Sequence, residues 1–175
     1  TELRKVVPLV FIDDRPTMCG VLEKGGHSMI CASVLEDEIY EDAMSEGYCR
    51  LLALTSNDAL NELIVQKAGV HLGAERVFRG RVVRSEQLLT GENGSRDVFP
   101  EDFYLLEVLD KFQKGSAEII YIDDMTSEMW QTAACIPLFQ LVDQGRGVAV
   151  IKPGVDVEGP VYCLQMKSEA KPKTS

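Results

Sequence analysis

The strongest constraint on this chain is an alternation of β-rich and helical segments through its first half. Residues 6–12 (VVPLVFI) form a continuous apolar run ending at Asp13-Asp14, the pattern of a strand buried on both faces. Residues 15–24 (RPTMCGVLEK) read as a short helix, with Pro16 in the first turn and Gly25-Gly26 as its stop. Residues 28–32 (SMICA) read as a second strand. Ser33 stands at the N-cap position of an acidic helix over residues 34–46, with Leu35, Ile39 and Ala43 on one face. Residues 50–54 (RLLAL) read as a third strand, and Thr55 and Ser56 open the turn after it. Ser56 or Asn57 caps the next helix, which runs to about residue 70 with Leu60, Leu63, Ile64 and Ala68 on one face. Residues 75–83 (ERVFRGRVV) read as a fourth strand. This order predicts a parallel sheet with right-handed crossovers. The C-terminal ends of its strands share one edge, where ligands bind in such folds.

The pattern changes near Ser85, and the Gly-rich polar stretch at residues 90–95 (TGENGS) is the best boundary. A helix is expected within residues 99–112, then a strand over 117–122 ending near Asp123-Asp124. A short helix over 127–134 carries Trp130, and Gly145-Arg146-Gly147 is a turn rather than a phosphate loop. Residues 136–142 and 147–151 form a hairpin across that turn, and residues 160–166 form a last strand. The fold class is therefore α/β, with a small α+β domain following the parallel sheet. The division is residues 1–84, residues 96–166, and a polar tail at 167–175 that frays.

Charge excludes several functions. Lys and Arg total 18 against 28 Asp and Glu, a net charge of -10. No basic stripe is present to release counterions from phosphates, so nucleic acid is not the partner. Direct lipid binding through a polybasic surface is excluded on the same ground. No apolar run approaches the roughly 20 residues of a membrane helix. The first residues are too soon acidic for a signal peptide, and Thr1 in place of Met fits an excised or processed piece. The five cysteines include no CxxC pair and are odd in number. They are expected as reduced, small core residues rather than disulfides or zinc ligands.

Asp13 and Asp14 end the first strand. An acid at a strand end in a dinucleotide-binding fold accepts hydrogen bonds from ribose hydroxyls. It also suits the start of a helix, whose dipole favours a negative charge. The glycine fingerprint would lie roughly 20 residues before that acid, ahead of Thr1. The acidic cluster Glu36, Asp37, Glu38, Glu41, Asp42 and Glu46 reads as a solvated face. Ser95 has no GxSxG around it, and neither His27 nor His71 sits in a triad or zinc pattern. Both histidines are expected at the surface or at a helix cap. No catalytic residue and no metal site is assigned, and the chain is not read as an enzyme.

The order of elements resembles the regulator-of-potassium-conductance (RCK) type of Rossmann domain. VFID at 10–13 is similar to that family's second strand with its terminal acid, and HSMICAS at 27–33 to the third, with Ala32-Ser33 where the family has Gly-Asp. RLLALTSNDALN at 50–61 is similar to the fourth strand and its polar turn into a helix bearing an Asn. The match covers residues 6–83. The nearest likeness is to the cytosolic C-terminal region of bacterial sodium/proton antiporters, where a small β-rich domain similar to residues 136–166 follows. The resemblance implies a Rossmann-like parallel sheet lacking its first strand and glycine loop in this chain. It implies a ligand such as NAD or an adenine nucleotide, with Asp13 and Asp14 at the ribose, Ala32 and Ser33 beside a base, and Thr55 and Ser56 in the strand-end crevice. It implies a homodimer on the cytoplasmic face of the membrane, joined to a membrane-embedded transport domain of the same parent chain and controlling ion flux. Two alternatives stay open. One is a fragment of a nucleotide-dependent oxidoreductase, with residues 90–95 as a substrate loop. The other is the regulatory domain of a potassium channel or potassium uptake system. A plain interaction module, its missing strand supplied by a partner, is a third class.

Overall fold

The computed structural model describes residues 8–83, 97–99, 103–126, 135–142, 147–151 and 157–167. The chain divides into two compact units, Thr1–Arg79 and Gly80–Ser175. It is a mixed α/β protein, with parallel strand pairs in the first unit and an antiparallel sheet in the second.

In the first unit, strand β1 (Val10–Asp13) pairs in parallel with β2 (Ser28–Cys31), Asp13 lying opposite Cys31. Helix α1 (Pro16–Lys24) joins them. Proline at its first position loses no helical hydrogen bond, and Gly25 is its C-cap. Among the described residues strand β1 starts at Val10, after Pro8, which has no N–H to give a ladder. Strand β3 (Leu51–Ala53) pairs in parallel with β4 (Val77–Arg79). Helix α3 (Asp58–Leu72) and a 3-10 turn at Ala74–Arg76 join those two. That turn takes the residues expected to begin the fourth strand. Gly73 separates it from α3 at φ 91°, a conformation that a side chain would strain.

Helix α2 (Asp37–Ser45) begins three residues later than the sequence predicts. Ser33 does not cap it. The Ser33 hydroxyl oxygen accepts from the Leu35 N–H at 3.3 Å, and the Ser33 carbonyl accepts from the Glu36 N–H at 3.0 Å. Residues 33–36 are thus a turn, held down where the Tyr40 hydroxyl donates to the Val34 carbonyl. Tyr40, Ala53, Ile64, Val65, Ala68, Leu72 and Val77 form the core of this unit, with Val34, Leu35, Leu51 and Leu60 against it. Leu63, expected on the buried face of α3, is 46% exposed, while Asn61 is fully buried.

The expected four-stranded parallel sheet is instead two two-stranded sheets, β1-β2 and β3-β4. Each pair comes from one β-α-β unit. Helix α2, which leads from β2 to β3, packs on α3 without bringing those two strands side by side.

In the second unit, helix α4 (Leu105–Gln113) buries Leu105 and Val108 and leaves Leu106 and Leu109 exposed. Strands β5 (Ala117–Met125), β6 (Cys135–Val142), β7 (Gly147–Val150) and β8 (Gly159–Met166) form an antiparallel sheet in the order β5-β8-β6-β7. The expected hairpin is present, Val142 facing Gly147. Asp123-Asp124 lies inside β5 rather than after it, where the register with β8 shifts between Ile122 and Met125. An edge strand tolerates such charges because one side faces solvent. Met125, Cys135, Ile151, Val157, Val161 and Cys163 form the core of this sheet. The loop expected at 90–95, the helix expected at 127–134 with Trp130, the turn expected at 143–146 and the tail expected beyond Lys167 lie outside the described residues.

Candidate functional site

The candidate residues lie where the strands of the first unit end. Asp13 is the last residue of β1, so its backbone is fixed by the ladder to β2. Its carboxylate is already engaged. Oδ1 accepts from the Arg15 backbone N–H at 2.9 Å and from Nε at 2.8 Å. Oδ2 accepts from Arg15 Nη2 at 2.6 Å. A carboxylate offers about four acceptor positions, so Arg15 takes most of them. The side-chain hydrogen bonds from Arg15, followed by its backbone N–H, lower the Asp13 pKa to about 2. Charge-assisted bonds of this kind favour the ionised form. Asp14 lies in the bend between β1 and α1 and is exposed.

Register places Asp13 beside Cys31, and Ala32 and Ser33 follow directly. Both are half-buried, and the Ser33 hydroxyl serves the turn into α2. Cys31 is joined to Cys19 of α1 by a disulfide. The expectation that the cysteines are all reduced is therefore corrected for this pair. Only the fold reveals it, because a separation of 12 residues says nothing of proximity until α1 packs on β2. Cys135 and Cys163 are buried thiols, as expected, and Cys49 is an exposed one.

At the end of β3 the turn is built around Asn61. Its Oδ1 accepts from the Thr55 N–H at 2.9 Å and the Thr55 hydroxyl at 2.7 Å. Its Nδ2 donates to the Thr55 carbonyl at 3.1 Å. Asn57, not Ser56, caps α3, its Oδ1 accepting from the Leu60 N–H at 3.1 Å. Thr55 is thus a positioning residue, its hydroxyl committed within the turn, while Ser56 is exposed. Arg79 ends β4 and pairs with Glu62 of α3. Neither Asn61 nor Arg79 stood among the expected site residues.

No family model and no curated protein matches the sequence. The chemistry must therefore be read from the strand ends themselves. Asp13, Ala32 and Ser33 are brought together by the β1-β2 ladder, and Thr55 and Ser56 follow β3 in the separate β3-β4 pair. Among the described residues no group of three or more His, Cys, Asp or Glu side chains is placed to hold a metal ion. None of the described helices is long and apolar enough to cross a membrane. The two histidines are more engaged than expected. His71 stacks on Tyr40 with ring centroids 5.3 Å apart and meets Asp37 at 3.3 Å. His27 sits edge-on to Phe11, and its Nδ1 is buried without a hydrogen-bond partner.

Proposed function

We propose that the chain is the ligand-sensing regulatory part of a membrane cation transporter, with a sodium/proton antiporter as the first choice. In this reading the first unit is a Rossmann-like half-sheet that binds a nucleotide at its strand ends. The single observation that carries it is the strand pairing. A doubly wound sheet has the order 3-2-1-4-5-6. With the first strand set aside, that order leaves the pairs 2-3 and 4-5, both parallel. The observed pairs β1-β2 and β3-β4 are two such parallel pairs. Asp13 then holds the ribose position, Ala32 and Ser33 flank the base, and the Thr55–Asn61 turn shapes the far side of the crevice. Ligand binding biases a domain dimer between two arrangements, and only its differential affinity for them, typically on the order of 1–3 kcal/mol, reaches the transport helices.

The test is thermal shift and titration with NAD, NADH, ATP, ADP and AMP, with light scattering alongside. A nucleotide that binds raises Tm as its concentration passes Kd. The expected result is a rise with one of them, lost in Asp13→Ala, and a nucleotide-dependent change in the dimer. Flat melting curves with all five would overturn the nucleotide reading.

A further inference from the structure

We propose that Cys19 and Cys31 are a reversible thiol–disulfide exchange site that answers to low-molecular-weight thiols such as glutathione. The backbone suits the bond: the Cα atoms are 5.8 Å apart, within the usual range for a disulfide. The two residues differ in exposure. Cys19 is 4% exposed on the inner face of α1, while Cys31 is exposed at the end of β2. An incoming glutathione thiolate therefore attacks Cys31. The Cys19–Cys31 bond breaks, a Cys31–glutathione mixed disulfide forms, and Cys19 leaves as a thiolate that takes up a proton. A second glutathione thiolate attacks the glutathione sulfur of the mixed disulfide and releases Cys31. The net change is one protein disulfide and two reduced glutathiones to two protein thiols and one oxidised glutathione. Once reduced, the buried Cys19 has an acceptor waiting, since its sulfur lies 3.3 Å from the Asp13 carbonyl oxygen.

The bond also bears on the strand end. The Arg15 carbonyl accepts the Cys19 N–H at 3.0 Å, so Arg15 and Cys19 sit in the same first turn of α1. Arg15 grips the Asp13 carboxylate, and the disulfide ties that turn to β2. The oxidised form thus holds Arg15 on Asp13, and reduction frees the turn to release it. This coupling rests on the nucleotide reading above; the exchange chemistry does not.

The experiment uses the full chain carrying Cys49→Ser, which removes the exposed bystander thiol. Samples are equilibrated in glutathione buffers from fully reduced to fully oxidised, acid-quenched, alkylated and mapped by mass spectrometry. Two alkylatable thiols, on the Cys19 and Cys31 peptides, should disappear together on oxidation and return on reduction. Tm should rise by about 5–10 °C in the oxidised form, and Cys31→Ser should abolish that rise. Three results overturn the site: both thiols alkylated at every ratio, a disulfide that no ratio reduces, or Cys31 held only as a glutathione adduct. Nucleotide titration of the two end states separates the readings. Affinity about tenfold or more higher in the reduced form supports the coupling, and equal affinities overturn it. No binding in either state removes the nucleotide reading while the thiol counts still decide the exchange site.

Discussion

Asp13 and Arg15 set the acid behaviour of the first strand end. The Asp13 pKa is about 2 in the folded protein, against roughly 3.9 for an unperturbed aspartate. A depressed folded pKa contributes stability that is complete above the unfolded value and lost as pH falls through the folded one. The Asp13 contribution should therefore fade between about pH 4 and pH 2. Arg15→Gln should raise the Asp13 pKa toward its ordinary value, read by NMR titration of the carboxyl carbon, and should flatten that part of the acid unfolding curve. Burial, followed by the neighbouring Cys135, pushes the Cys163 thiol up to about 12. Native protein at pH 8 should therefore be alkylated first at Cys49, with Cys163 reacting only on unfolding. Asn61 is the polar residue on which most rests. Asn61→Ala removes three bonds to Thr55 and leaves its N–H without that partner, so a loss of about 2–4 kcal/mol in urea unfolding is expected.

At the scale of elements, the helix start and stop marked by Pro16 and Gly25 were legible, because those residues act through their own backbone. The start of α2 was not, because it is decided by the Tyr40 hydroxyl reaching back to Val34 and by a Ser33 turn that competes with capping. Tyr40→Phe tests this. It keeps the buried ring and removes only the hydroxyl bond, so it should cost about 1 kcal/mol and leave the other helices intact by amide exchange. The α2–α3 contact was equally hidden. Asp37 reads as one of six solvated acids, yet Lys67 and His71 of α3 both reach it, and the Lys67 hydrogen bond leads in lowering its pKa. The candidate site was legible at Asp13, where an acid closes an apolar run. The Arg15 grip and the Cys19–Cys31 bond were not, since each depends on where α1 lands.

At the scale of the whole molecule, the alternating pattern of the first half and the strand-rich second half did specify a mixed α/β chain. Pairing was beyond it, because hydrophobic patterns say which face is buried and not which strand is the neighbour. The charge of -10 has its own consequence. Like-charge repulsion opposes compactness and is screened by salt. Raising ionic strength from about 0.05 to about 0.5 M should increase Tm, and a fall would place net attraction, not repulsion, in charge of the fold.

The two units also differ in how early each can be completed by a chain that leaves the ribosome N-terminus first. Strands β1 and β2, and again β3 and β4, pair with the next strand made. In the second unit β8 is made last yet lies between β5 and β6. Until residues 159–166 emerge, β5 and the β6-β7 hairpin have no common neighbour. The first unit can therefore fold as it is synthesised, while the second must hold its sheet open until β8 is made, and a chaperone or a pause in translation would matter most before then.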